Sequence, residues 1–215
     1  MKQKTFTRAS IFLGLLGTLF ILSLSVTLTL NACFLYYQDL DKLSADSGLS
    51  VSEIRSNYDA LIDYNSFLNQ EELVFPTLPM SEEGRIHFAE VKRIFVFLQY
   101  CCIISGIFFL AGSILSFRRK QYGFLFTTWM VGTTFPILVG LLAAGNWDWF
   151  FVTFHKLLFR NDYWLFNPAT DPIIDLLPDS YFFRCLLVIV LLMIVLTQGC
   201  GLLYRHYSHG HRQQS

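Results

Sequence analysis

Four runs of apolar sequence decide what this chain can become. They are Ile11 to Leu30, with a shoulder that carries the first span to about residue 36, then Ile94 to Phe117, Tyr122 to Gly145 and Phe182 to Tyr204. Each can cross about 30 Å of hydrocarbon as a helix. Charged residues make up 15% of the chain, against about a quarter in a typical soluble domain. A soluble fold would need one large core under a thin polar shell, and the long charge-free runs exclude that. The expected class is an all-α integral membrane protein with four transmembrane helices. Pro136 inside the third run is tolerable there, because neighbouring helices re-satisfy freed backbone groups. Gly140 and Ala144, four residues apart, suit close helix packing.

The charges sum to zero but are segregated. Every acidic residue falls between Asp39 and Glu90 or between Asp148 and Asp179. Three short segments hold Lys and Arg without any acid: Lys2, Lys4 and Arg8; Arg118, Arg119 and Lys120; and Arg205 with Arg212. Basic residues in short loops mark the cytoplasmic side. This places the N-terminus, the 118–121 link and the tail 205–215 inside. The segments 37–93 and 146–181 fall outside and are expected to form an extracellular cap over one membrane domain. No basic stripe exists for nucleic acid. The five cysteines make no CxxC pair and read as small apolar residues. Met1 to Leu30 has the outline of a signal peptide, and Leu30-Asn31-Ala32-Cys33 that of a lipoprotein cleavage box. The run is longer than the roughly 7–15 residues of a signal core, and Asn31 is a poor residue beside such a cut. The first span is therefore expected to be retained.

The outer segments have structure of their own. Ser50-Val51-Ser52-Glu53 is a capping box, and Ile54, Tyr58, Leu61, Ile62 and Leu68 recur at helical spacing. Pro76 and Pro79 break the chain. A helix restarts at Ser81, with Glu82 and Glu83 suited to its positive end, and runs through His87 and Glu90 into the second span. The other segment is aromatic: Trp147, Trp149, Phe150, Phe151, Phe154, Phe159, Tyr163, Trp164 and Phe166. Amphipathic rings favour the membrane–water boundary. Asn167-Pro168 and Asp171-Pro172 mark turns, with a short apolar stretch from Ile173 to Leu177.

His87 and His155 are the candidates for chemistry. His87 leads a helix face of Glu90, Val91, Ile94 and Leu98, roughly 10 Å above the second span. His155 sits among Trp149, Phe151 and Phe154, with Phe151 and Phe159 on its helix face. Ionisable groups at membrane depth lean towards function, and imidazole suits acid–base work near neutral pH. Each could equally be a hydrogen-bonded interfacial residue. Neither has a partner at metal-ligand spacing. Glu90, Lys92, Asn161, Asp162, Trp164 and Asp171 complete the candidates, although Lys92 can anchor at head groups and Asp171 can simply form a turn. His206, His209 and His211 read as part of a solvated tail.

Two stretches resemble a known family. One is His87-Phe88-Ala89-Glu90-Val91-Lys92. The other begins at Phe154-His155-Lys156, passes through Asn161-Asp162-Tyr163-Trp164 and Asn167-Pro168-Ala169-Thr170-Asp171-Pro172, and continues to Phe182-Phe183. Together they resemble the lipoprotein intramolecular transacylase family of Gram-positive membrane proteins. Asn57-Tyr58 and the four-span layout fit it too, over nearly the whole chain except the C-terminal tail. Glu90 stands where the family usually has Asp. The resemblance implies a diacylglyceryl-modified lipoprotein as substrate, met among membrane lipid in the bacterial cell membrane. The sn-2 acyl chain would move to the α-amino group of the same N-terminal cysteine, giving the lyso-form. His87 and His155 would be catalytic, with no cofactor and no metal. Tyr58, Glu90, Lys92, Trp147, Trp149, Phe151, Phe154, Asn161, Asp162, Trp164 and Asp171 would support or bind. Asn161, Trp164 and Lys92 are the hypothetical oxyanion donors. The residues do not say which histidine is the base. Two other readings stay open at this point: a metal-dependent membrane lipid hydrolase using His87, His155 and a carboxylate, and a non-catalytic membrane assembly protein.

Overall fold

Each apolar run becomes a helix. In the computed structural model, which describes residues 7–210, they are α1 (Arg8–Leu30), α5 (Glu82–Arg118), α6 (Gly123–Gly145) and α8 (Asp179–Gly210). All four are long and apolar enough to cross a membrane. Between α1 and α5 lie α2 (Phe34–Tyr37), α3 (Leu40–Ser47) and α4 (Val51–Tyr64); α7 (Trp147–Leu158) and a 3-10 turn (Pro172–Leu176) lie between α6 and α8. No strand occurs among the described residues. Lys2, Lys4, His211 and Arg212 lie outside them, as does the side chain of His209.

Helix α1 ends at Leu30, short of the expected end near residue 36. The Ala32 N–H closes back on the Thr29 carbonyl at 3.1 Å, a tightened last turn. The apolar shoulder belongs instead to α2, whose Leu35 and Tyr36 are buried. The expected capping box is complete: Ser50 accepts from the Glu53 N–H, and Glu53 accepts from the Ser50 N–H. Helix α4 stops at Tyr64, so Leu68 is not on its apolar face and is 77% exposed. Pro136 stays inside α6.

The chain packs as two units. One comprises residues 7–27, 98–141 and 187–210, the greater part of the long helices. Its close approaches fall at Gly14, whose carbonyl accepts from Thr128 Oγ1 at 3.0 Å, and at Gly132, where a Cβ would stand 2.5 Å from Thr197. Gly140 makes only ordinary contact with Val190, and Ala144 is exposed, so the expected small-residue pair is not where the helices meet most tightly.

The other unit comprises residues 28–97 and 142–186. Tyr36 and Tyr58 stack at 3.7 Å, almost parallel. The Tyr36 hydroxyl donates to the Leu176 carbonyl at 2.8 Å, and the Tyr58 and Tyr181 hydroxyls share a 2.8 Å bond. Ile54, Ile173 and Leu176 are fully buried, and Arg184 pairs with Asp39. Buried hydroxyls that all find partners let three tyrosines serve as core. Tyr58 is therefore part of this core and makes no described contact with either histidine.

Candidate active site

The start of one helix and the last turn of another deliver the two histidines. Helix α5 begins where its free N–H groups are met: Ser81 Oγ accepts from the Gly84 N–H at 3.0 Å, and Asp171 Oδ1 accepts from the Ser81 N–H at 2.7 Å. Glu82 and Glu83 occupy the first turn, where the helix end is positive. His87 follows one turn later and is 5% exposed. Helix α7 is capped by Asn146, whose side chain accepts from the Trp149 N–H at 3.0 Å. It ends at Leu158, and Phe159 is already extended.

The imidazoles come together with ring centroids 6.3 Å apart. Phe159, just beyond the helix it was expected to share with His155, lies against both rings, 4.7 Å from His87 and 5.8 Å from His155. Phe166 meets His87 edge-on at 5.3 Å and stacks on Phe88. Phe151 lies 4.1 Å from His155, and Trp164 stacks on it at 4.8 Å. Phe154 adds an edge at 5.7 Å and is otherwise half exposed. The result is a pair of imidazoles inside an aromatic box.

That box sets their protonation. Burial pushes His87 down to about 4, and a charge on His155 would push it further the same way. His155 is also lowered by burial, with the Phe151 carbonyl pulling back. Low dielectric disfavours the imidazolium, so burial favours the neutral form of both rings, and a charge on one opposes a charge on the other. His155 Nδ1 lies 2.7 Å from the Phe151 carbonyl. A carbonyl can only accept, so Nδ1 carries the proton and Nε2 presents a lone pair. His87 Nδ1 is buried without a partner.

The other expected site residues divide. Asn161 donates from Nδ2 to both Glu90 oxygens, at 3.0 and 3.2 Å, tying the loop after α7 to α5. Lys92 turns elsewhere: its ammonium lies 4.0 Å over the Tyr64 ring and reaches the Glu71 carbonyl. Asp162 is exposed and does not hold His155; the Phe151 carbonyl does. Asp171 is buried, accepting from Ser81 and from Thr170 Oγ1 at 2.7 Å, so it anchors α5 as well as preceding a turn. Trp147 packs on Phe150, Phe151 and Phe183, whereas Trp149 is half exposed.

Gly84, Phe88 and Phe166 were not among the candidates. A Cβ on Gly84 would stand 2.3 Å from Asp171 Oδ1, so only glycine permits that approach. Phe166 was visible as one more ring in an aromatic segment; nothing in the sequence ties it to His87. Two clefts flank the box. One, of about 380 Å³, is lined by Glu83, Asp162 and Phe166; the other, of about 280 Å³, by Trp147 and Phe183. Neither histidine lines them. Among the described residues no three His, Cys, Asp or Glu side chains are grouped to hold a metal.

The arrangement can move one proton between groups presented to it in a dry, ring-walled space. Comparison with known proteins gives that capacity a setting. The family model described as lipoprotein intramolecular transacylase Lit matches residues 11–182. No curated protein matches the chain. The solved membrane integral lipoprotein intramolecular transacylase Lit of Bacillus cereus superposes with a TM-score of 0.91 at 34% identity, over 95% of this chain and 96% of that one. Two further structures of that protein each carry a replaced histidine, by arginine in one and alanine in the other. They match with TM-scores of 0.85 and 0.84 at 33% and 34% identity, over 96% and 95% of this chain and 93% and 94% of theirs.

Proposed function

Because this chain belongs to the lipoprotein intramolecular transacylase family, and is thus a membrane acyltransferase, we propose that His87 and His155 carry its reaction as a pair. The substrate is a lipoprotein whose N-terminal cysteine bears a diacylglyceryl group. The cysteine amine attacks the sn-2 ester carbonyl of the same molecule, the new N–C bond forms, and the C–O bond to glycerol breaks. The amine loses one proton and the glyceryl oxygen gains one, so the balance closes within the substrate. The product is the N-acyl, S-monoacylglyceryl form.

The observation that carries this reading is the pairing itself: two imidazoles 6.3 Å apart, from separate helices, walled by rings. His155 is the base, because its Nδ1 proton is committed to the Phe151 carbonyl and its Nε2 lone pair is free to take the amine proton. His87 has a buried, unpartnered Nδ1 and completes delivery to the glyceryl oxygen. The attacking amine loses its proton most easily once the new bond makes it acidic, so a neutral, weakly basic imidazole suffices. Nucleophile and ester already share one molecule, so holding them together accounts for much of the acceleration. The wall of Phe151, Phe159 and Phe166 keeps water from competing for the acyl group.

In this reading the segments 37–93 and 146–181 lie outside the membrane, with both termini in the cytoplasm. The segregation of acids from the short basic segments supports that orientation.

The test is tandem mass spectrometry of a lipoprotein N-terminal peptide, because intramolecular transfer leaves the intact mass unchanged. The host should make only diacylglyceryl lipoproteins and express the wild type, His87→Ala or His155→Ala. The wild type yields N-acyl, S-monoacylglyceryl fragments, and each variant loses about 10²–10⁴-fold in rate. Turnover by both variants at the wild-type rate would remove the histidines from the mechanism.

A further inference from the structure

The reaction needs something the histidine pair does not provide. When the amine adds to the ester carbonyl, the carbonyl oxygen becomes an oxyanion inside an apolar box. Unmet negative charge there is far costlier than in water, and enzymes commonly meet it with fixed donors. The walls against the two imidazoles are Phe88, Phe151, Phe154, Phe159, Phe166 and Trp164. Five are phenyl rings with no donor. The sixth is an indole.

Resting on the transacylase reading, we propose that the Trp164 indole N–H is the oxyanion donor, bonding to the former sn-2 carbonyl oxygen in the tetrahedral intermediate. Three observations converge on it. Trp164 is 8% exposed and its ring lies on His155 at 4.8 Å, so it is fixed beside the base. Its Nε1 is buried and has no partner. Leaving a buried N–H without an acceptor is costly, and that cost is returned when an acceptor arrives. The other two expected donors are occupied: Asn161 spends its amide on Glu90, and Lys92 spends its ammonium on Glu71 and Tyr64. The Trp147 indole N–H is also unpartnered, but its ring packs on Phe150, Phe151 and Phe183 and is not against either imidazole.

The indole is also chemically apt. It donates only, so it cannot compete with the ester for the amine proton. It is neutral, so it imposes no standing charge beside the base. The covalent steps are unchanged: N–C forms, C–O breaks, and Trp164 keeps its proton throughout, lending a hydrogen bond while the negative charge exists.

The experiment compares Trp164→Phe with wild type in detergent–lipid micelles, on a synthetic diacylglyceryl lipopeptide, with product read by tandem mass spectrometry. Wild-type turnover comes first; a wild type that makes no N-acyl product defeats the transacylase reading itself, not this inference. With an active wild type, Trp164→Phe keeps an aromatic face on His155 and removes the N–H. The expected result is a kcat lower by about 10²–10³-fold with KM within about threefold, because the bond is made only in the transition state. A kcat within threefold of wild type overturns the inference. If KM or thermal stability shifts as well, the decisive variant carries benzothienylalanine at position 164, which preserves the bicyclic shape and replaces N–H by sulfur. A comparable fall in kcat then sustains the inference, and full activity overturns it.

Discussion

Two imidazoles that share one dry box are weak bases by construction, and that has a cost away from the reaction. His87 titrates at about 4 when folded, against an ordinary 6.5. Between those values the unfolded chain binds the extra proton and the folded chain does not. Stability is therefore greatest above about pH 6.5 and is lost as pH falls towards 4, by an amount on the order of 3 kcal/mol for this residue. Thermal unfolding of the detergent-solubilised protein should show the fall between pH 7 and 4.5, and His87→Phe should flatten it. An equal pH dependence in both proteins would mean that His87 is not held neutral. His155, lowered the same way, adds to the effect in the same direction.

At the scale of elements, the site depends on how the loop after α7 is fastened to the start of α5. Asp171 receives the Ser81 N–H, and Gly84 lets the carboxylate sit against the helix. In Gly84→Ala the new methyl must displace Asp171 or Phe166, at about 1–3 kcal/mol for overpacking, and His87 moves with its helix. Turnover should fall at least tenfold and the unfolding midpoint should drop. Gly199→Ala, where a Cβ meets nothing, should leave both unchanged. Equal behaviour of the two variants would show that the fastening is dispensable. The elements themselves were readable: the Ser50 capping box, the helix expected from Ser81 and observed from Glu82 that continues past His87, and the four apolar helices all follow local pattern. The fastening was not readable, because a glycine and an aspartate distant in sequence carry no periodic signal. The apolar shoulder after Leu30 misled for a related reason. Residues that face lipid and residues that enter an aromatic core, as Tyr36 does, look alike in composition.

For the whole molecule, charge placement was the strongest guide and topology is what it predicts. Ala45→Cys and His206→Cys each put a thiol at an exposed position, one on α3 and one near the end of α8. A membrane-impermeant maleimide on intact cells should label the first, and should reach the second only after permeabilisation. The reverse pattern would overturn the proposed orientation. The histidines were legible as a pair of unusual polar residues among rings, and the resemblance added their roles. Their meeting was not legible, since the ring that lies against both, Phe159, sits just beyond the end of α7 and carries no periodic signal towards His87. Which of the proposed supporting side chains remain free for substrate was equally hidden: Asn161 and Lys92 already have partners, and Trp164 has none.

The contact between Gly84 and Asp171 also constrains descent. Any change that gives position 84 a side chain is tolerable only if position 171 retreats in the same lineage. A retreat at 171 leaves the Ser81 N–H needing another acceptor. The two positions should therefore drift together or not at all. A survey of related chains would find them linked more tightly than either is to its neighbours in sequence.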